Sequence, residues 1–135
     1  MTTERRANAT DTVELTVPAD PAYLSVLRTV IASLAAQRDF TLDEIDDLRI
    51  AVGEAGALLL PHAGPGSRLS AVFGGSATTE AVEVAVTTPH GEDGHPDRSS
   101  FAWLVLTALT DSVVPDESGQ RLSLVLSKAR GTRDR

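Results

Sequence analysis

Two groups of side chains in this sequence are of types that do chemistry. The first is His90, Asp93, His95 and Asp97, imidazoles and carboxylates that together form a borderline donor set for zinc and similar ions. Their spacing matches no metal motif, and they sit in residues 88–98, a run of Thr, Pro, His, Gly, Asp and Glu that reads as a polar loop. No metal site is expected there. The second group is Glu54 and His62 with Leu58 midway, a spacing that places all three on one face of a helix. On residue type alone Glu54 reads as a solvated helix carboxylate, although carboxylates are among the groups that serve as general bases. His62 precedes Gly64, Pro65 and Gly66, and a histidine at a helix end suits the negative pole of the dipole.

Other chemistry is excluded by composition. The chain has no cysteine, which removes disulfides, thiolate zinc sites and thiol catalysis, and fits a reducing compartment. Nineteen acidic against twelve basic residues leave a net charge of −7 over 135 residues. That field repels phosphate backbones and anionic lipid, so neither nucleic acid nor membrane is expected as a direct partner. No apolar run approaches ~18 residues, and residues 1–11 are polar, so a cytoplasmic protein is expected. Asp39, Asp43, Glu44, Asp46 and Asp47 read as a solvated face, favourable near a helix amino terminus.

The elements that must position these groups follow from periodicity. Val13, Leu15 and Val17 alternate with polar residues as a half-buried strand does, ending at Pro18. Asp20 and Pro21 open a helix with the stripe Leu24, Leu27, Ile31, Leu34, running to about Arg38. Thr41 and Glu44 form a capping box for a second helix to about residue 60, whose stripe is Ile45, Leu48, Val52, Ala55 and Leu59. Leu69 to Phe73 and Ala81 to Val86 suggest a hairpin, and Phe101 to Leu109 a third helix within 100–111. Val113 and Val114 begin a short strand, and Leu122, Leu124 and Leu126 alternate as a last one. Phe40 and Phe73 are assigned to the core, and the pair Phe101 and Trp103 is expected to pack there too, with partner anchoring as the other use of such a pair. Residues 1–11 and the basic tail 129–135 are expected to be disordered around one domain, 12–128. The predicted architecture is a two-layer α/β sandwich, a mixed sheet with its helices on one face.

The run Asp47-Leu-Arg-Ile-Ala-Val-Gly-Glu54-Ala-Gly-Ala-Leu58-Leu-Leu-Pro-His62 resembles the N-box helix of the anti-sigma-factor serine kinases, the RsbW and SpoIIAB type, within the histidine-kinase-like ATPase superfamily. Val13 to Val17, the helix bearing Arg28, and Thr41-Leu-Asp-Glu-Ile45 resemble that family's opening strand, first helix and second-helix cap. Ser99-Ser-Phe-Ala-Trp103-Leu-Val-Leu-Thr-Ala-Leu109 takes the place of its glycine-rich segment and following helix, in a form similar to divergent actinobacterial members. The resemblance implies that Glu54 is the general base, that Arg28 contacts partners, and that the nucleotide site is built around positions 54, 58, 62, 99 and 100.

The chain departs from the family's pattern in three places. Leu58 stands where the family has a magnesium-binding Asn, and an aliphatic chain offers no ligand oxygen. The segment Thr87-Thr-Pro-His-Gly-Glu-Asp-Gly-His95 lacks the adenine-reading Asp-x-Gly-x-Gly motif; Asp93-Gly94 is a faint remnant past the strand. Ser99, Ser100 and Ala102 replace phosphate-facing glycines, whose bare backbone lets amides approach closely. The loop before the third helix is also short for a nucleotide lid. The resemblance therefore implies a dimeric anti-sigma factor with a degenerate site, needing no cofactor, that sequesters a sigma factor and is displaced by a STAS-type antagonist. The competing class is an ATP- and magnesium-dependent serine kinase acting on that antagonist, and a third is an unrelated small α/β domain with an apolar ligand pocket.

Overall fold

The computed structural model describes residues 12–75, 80–89 and 95–131. Five strands form one sheet: β1 (Val13–Pro18), β2 (Arg68–Gly74), β3 (Ala81–Pro89), β4 (Ser112–Ser118) and β5 (Arg121–Ala129), in the order β1, β2, β3, β5, β4. Three helices, α1 (Leu24–Ala36), α2 (Leu42–Leu59) and α3 (Phe101–Leu109), lie on one face of it. The two-layer sandwich stands as expected; the sheet itself is corrected. Every pairing is antiparallel, not mixed. One helix between β3 and β4 does return the chain in β3's direction, but the β4–β5 hairpin folds β5 into the gap between them, so no parallel neighbours form.

Local chemistry accounts for the element ends. The Asp20 carboxylate accepts from Ala22 N at 2.9 Å and opens a short 3₁₀ turn, Pro21–Tyr23, ahead of α1. α1 buries Leu24, Leu27, Ile31 and Ala35, so the last buried position is Ala35; Leu34, expected there, is half-buried. The helix stops two residues before the expected Arg38, in a turn that holds Asp39 at φ 64°. The capping box of α2 is complete: Thr41 N donates to Glu44 Oε1 at 2.8 Å, and Glu44 N to Thr41 Oγ1 at 3.2 Å. β4 and β5 are joined through Gly119 at φ 62° and Gln120, with Ser118 opposite Arg121, and glycine first is what a two-residue hairpin of type II′ requires.

The core lies between the helices and the inward residues of the strands, with Leu27, Leu48, Phe73, Val84, Leu106 and Leu126 fully or almost fully buried. Phe40 and Phe73 join it as expected. Phe101 does not: its side chain is 77% exposed. α3 packs chiefly against α2 and more lightly against β4, and Phe101 and Leu104 of its first turn stay exposed. Trp103 is partly buried against the core, with the Arg98 guanidinium 5.2 Å from its ring.

Two further boundaries move. β3 continues to Pro89, with Thr88 fully buried and donating to Arg68 O at 3.1 Å, where the loop was expected from residue 88. At the other end β5 includes Ala129, while Arg130 donates to Arg38 O at 3.0 Å and Gly131 N to Glu44 Oε2 at 2.7 Å. Ordered chain thus runs past the boundary expected at residue 128. Residues 1–11 and 132–135 lie outside the described residues. The acidic run is partly structural: Glu44 caps, Asp46 meets Arg49 at 3.0 Å, and Asp47 lies 3.5 Å from Lys128.

Candidate functional site

α2 is the middle helix and has two working flanks. Toward α1 it presents Gly53 and Gly56, and toward α3 it presents Asp47, Glu54 and Leu58, spaced seven and four residues apart along one face. Lys128 closes the second flank, donating to Leu109 O at the carboxyl end of α3 at 3.0 Å beside Asp47. Glu54 and Leu58 therefore share a face, as their spacing required. Glu54 is half-buried and makes no hydrogen bond or ion pair among the described residues. Leu58 is half-buried and packs against the core, so it is a structural side chain with no donor atom.

His62 is set apart. α2 ends at Leu59, and Leu60–His62 is a 3₁₀ turn. Pro61 has no N–H to continue the α-helical ladder, and three residues per turn in place of 3.6 rotate His62 off the line through Glu54 and Leu58. The i, i+4 pattern in the sequence thus overstated the face by one residue.

At the start of α3 the two serines are fully used. Ser99 N and Ser99 Oγ both donate to Asp97 Oδ1, at 2.9 and 2.7 Å. Ser100 Oγ donates to Asp97 O at 2.7 Å and accepts from Trp103 N at 3.1 Å. Ser100 is therefore the N-cap of α3, and its hydroxyl occupies the space from which a phosphate would reach the Trp103 amide. Asp97 is held below the ordinary aspartate range by the Ser99 hydroxyl and then by the Ser99 amide. Its negative charge suits the helix dipole and opposes an incoming phosphate.

Two measurable consequences follow from this cap. Ser100→Ala should lower stability by about 1 kcal/mol, the usual worth of a helix N-cap, seen as an earlier thermal midpoint with an unchanged fold by circular dichroism. The carboxyl of Asp97 should titrate below the ordinary aspartate value by NMR and return toward it in Ser99→Ala. Because the folded value is the lowered one, its contribution is present above the unfolded pKa and lost as pH falls through the folded one.

Magnesium–ATP does not fit these residues. Leu58 offers hydrocarbon where a metal needs oxygen, and the amino terminus of α3 carries a side-chain cap and a carboxylate where phosphate needs bare amides. Asp93 and Gly94 lie outside the described residues, as do His90 and the residues between; among the described residues no group of three or more potential metal ligands occurs. His95 instead pairs with Glu117 at 2.7 Å.

Arg28 lies on the other flank of α2. It is half-buried, and a Cβ built on Gly53 would stand 2.9 Å from its Cδ and 3.0 Å from Nη1. Gly53 is what lets this arginine lie flat across α2, next to Glu54 in the chain. Sequence reading missed that role; a glycine inside a strongly amphipathic helix was the available signal. Gly56 likewise admits Leu24, whose Cδ2 lies 2.6 Å from the same hypothetical atom.

Residues 17–128 match the family described as histidine kinase-like ATPase domain. The chain is similar to the anti-sigma-F factor RsbW of Mycobacterium tuberculosis, 31% identical over 140 aligned residues that cover 98% of this chain and 82% of that protein. It is also similar to the serine-protein kinases RsbW of Bacillus subtilis, 41% identical over 56 residues, and of Bacillus velezensis, 35% over 57. Those two alignments each cover 42% of this chain and 35% and 36% of the kinases.

Proposed function

Since the chain belongs to the histidine kinase-like ATPase domain family, in its RsbW branch, we propose that it is an anti-sigma factor: it sequesters an alternative sigma factor of RNA polymerase and releases it to a STAS-type antagonist. Membership replaces the reading as an unrelated small ligand-binding domain. The observation that carries the function is the likeness to an anti-sigma factor along 98% of the chain, whereas likeness to the named kinases is confined to less than half of it. Arg28 is the contact residue in this reading. Its planar guanidinium, laid across Gly53 and half-exposed, can donate several hydrogen bonds to one partner surface.

The nucleotide site is degenerate in this reading, so exchange of partners does the regulating and no cofactor is required. Glu54, Leu58, His62, Ser99 and Ser100 are its remnant. Leu58 and the Ser100 cap now stabilise the domain, and Glu54 retains a carboxylate without the groups that would hold a substrate phosphate near it. The protein acts as a cytoplasmic homodimer without touching DNA; no helix among the described residues is long and apolar enough to cross a membrane.

The second reading, a serine kinase for the antagonist with Glu54 as base, is favoured by the names of the Bacillus relatives. One experiment separates the two. The protein is purified from its native host and the proteins that come with it are identified, then recombinant partners are mixed with it with and without magnesium–ATP. Capture of a sigma factor and its release by a STAS protein without ATP is the expected result. Absence of any sigma factor overturns the proposal, and ATP-dependent phosphorylation of the STAS protein promotes the kinase.

A further inference from the structure

α3 has the composition of one kind of helix and the surroundings of another. Its nine residues, Phe101–Leu109, include no charged side chain and a single polar one, Thr107, and a helix apolar on every side is ordinarily covered on every side. Here Leu106 alone is buried. Trp103 and Leu109 are half-buried and pack against the core with it. Phe101, Leu104 and Ala108, three and four residues apart, instead form a stripe that faces solvent. Phe101 is 77% and Leu104 61% exposed.

The stripe is rimmed by charge of one sign. Asp97 stands before the first turn of α3, Asp111 after the last, and Glu54 on the flank of α2 that meets α3. None of the three forms an ion pair among the described residues. The nearby cations are committed elsewhere: the Arg98 guanidinium stacks 5.2 Å from the Trp103 ring, and Lys128, 12% exposed, holds Leu109 O at 3.0 Å and Asp47 at 3.5 Å.

We infer that this stripe receives an amphipathic helix of the sigma factor, one with apolar side chains at i, i+3 or i+4 and i+7 and basic residues beside them. The inference rests on the anti-sigma reading above and adds a second contact to Arg28, which lies on the opposite flank of α2, toward α1. Two turns of exposed stripe run about 10 Å along the helix, enough to seat two or three anchors of a partner helix. Charge decides between the two partners of that reading. A subunit that holds promoter DNA carries basic helices for the phosphates, and a rim of carboxylates on a chain of net charge −7 attracts them. Nothing in the antagonist's role demands a basic helix. A sigma helix seated here is also withheld from DNA, so the contact that captures the factor blocks it as well.

The test has two arms. In the first, two dye-labelled synthetic helices that share a leucine face and differ elsewhere, lysine in one and glutamate in the other, are titrated with the full chain and read by fluorescence anisotropy. The lysine helix is expected to bind at least about tenfold more tightly than the glutamate helix, and Phe101→Ala and Leu104→Ala should each weaken it about tenfold. Leu42→Ala is the control: Leu42 is 81% exposed and flanked in the chain by Asp39, Asp43 and Asp46, apolar among carboxylates but off the stripe, and its loss should change nothing. Thermal midpoints should not move, because all three side chains lie mostly in solvent. In the second arm the co-purified sigma factor and the STAS antagonist are passed over immobilised protein. Leu104→Ala should lower affinity for the sigma factor at least about tenfold and leave that for the antagonist within about twofold. A lysine helix that binds every variant alike overturns the inference, as does loss of the antagonist in place of the sigma factor, or an oligomer of this chain that Leu104→Ala dissociates. Sigma capture indifferent to Phe101 and Leu104 removes this inference and leaves the anti-sigma reading standing. Wild type that takes the lysine helix on the stripe but captures no sigma factor removes the sigma factor as its occupant together with that reading.

Discussion

Titrated with magnesium–ATP in a calorimeter, the purified protein is expected to give no saturable heat up to about 1 mM, which places it at least ~4 kcal/mol short of a micromolar site. The expectation follows from groups that fail together. Leu58 is half-buried against the core and supplies no metal ligand. The Trp103 amide already has the Ser100 hydroxyl at 3.1 Å, and Asp97 adds a carboxylate at the same helix end. Groups that act as a unit are not restored one at a time. Leu58→Asn should therefore leave ATP binding absent, and should also cost about 1–3 kcal/mol of stability by placing an amide against hydrocarbon. Saturable binding in the micromolar range, or phosphate transfer to a STAS partner that Glu54→Gln abolishes, would overturn the reading.

Arg28→Ala is expected to weaken capture of the sigma factor by roughly 30-fold, about 2 kcal/mol, the scale of an interface anchor, with less than ~0.5 kcal/mol change in unfolding free energy. The asymmetry has a structural cause. The stem of Arg28 rests on Gly53, so truncation opens surface but no cavity in the core, while the guanidinium fork is what a partner would meet. Arg28→Lys should recover only part of the affinity, because an ammonium keeps the charge and loses the planar pair of donors. Titration calorimetry or surface plasmon resonance with the co-purified sigma factor reads both variants. Equal affinity of all three proteins would remove Arg28 from the interface.

Much of the molecule was legible before any coordinates. The capping box of Thr41 and Glu44, the Asp20–Pro21 helix entry and the alternation of Leu122, Leu124 and Leu126 are local signals, and each became the element it announced. They are legible because capping and periodicity are satisfied by residues a few positions apart. The same locality placed Glu54 and Leu58 on one face. It failed at His62, where Pro61 changed the helical repeat, and at Phe101, where the apolar content of α3 gave no hint that its first side chain stays exposed.

By itself, then, the sequence determined the layer architecture and the order of elements, since each depends on residue type and short-range spacing. Tertiary structure alone decided the rest. That β5 separates β3 from β4 and makes every pairing antiparallel depends on which edge the last hairpin docks to. That Gly53 seats Arg28 and that Arg130 reaches Arg38 O are contacts between residues 25 or more positions apart. Periodicity along the chain says which side of an element is apolar; it carries no information about which distant element that side will meet.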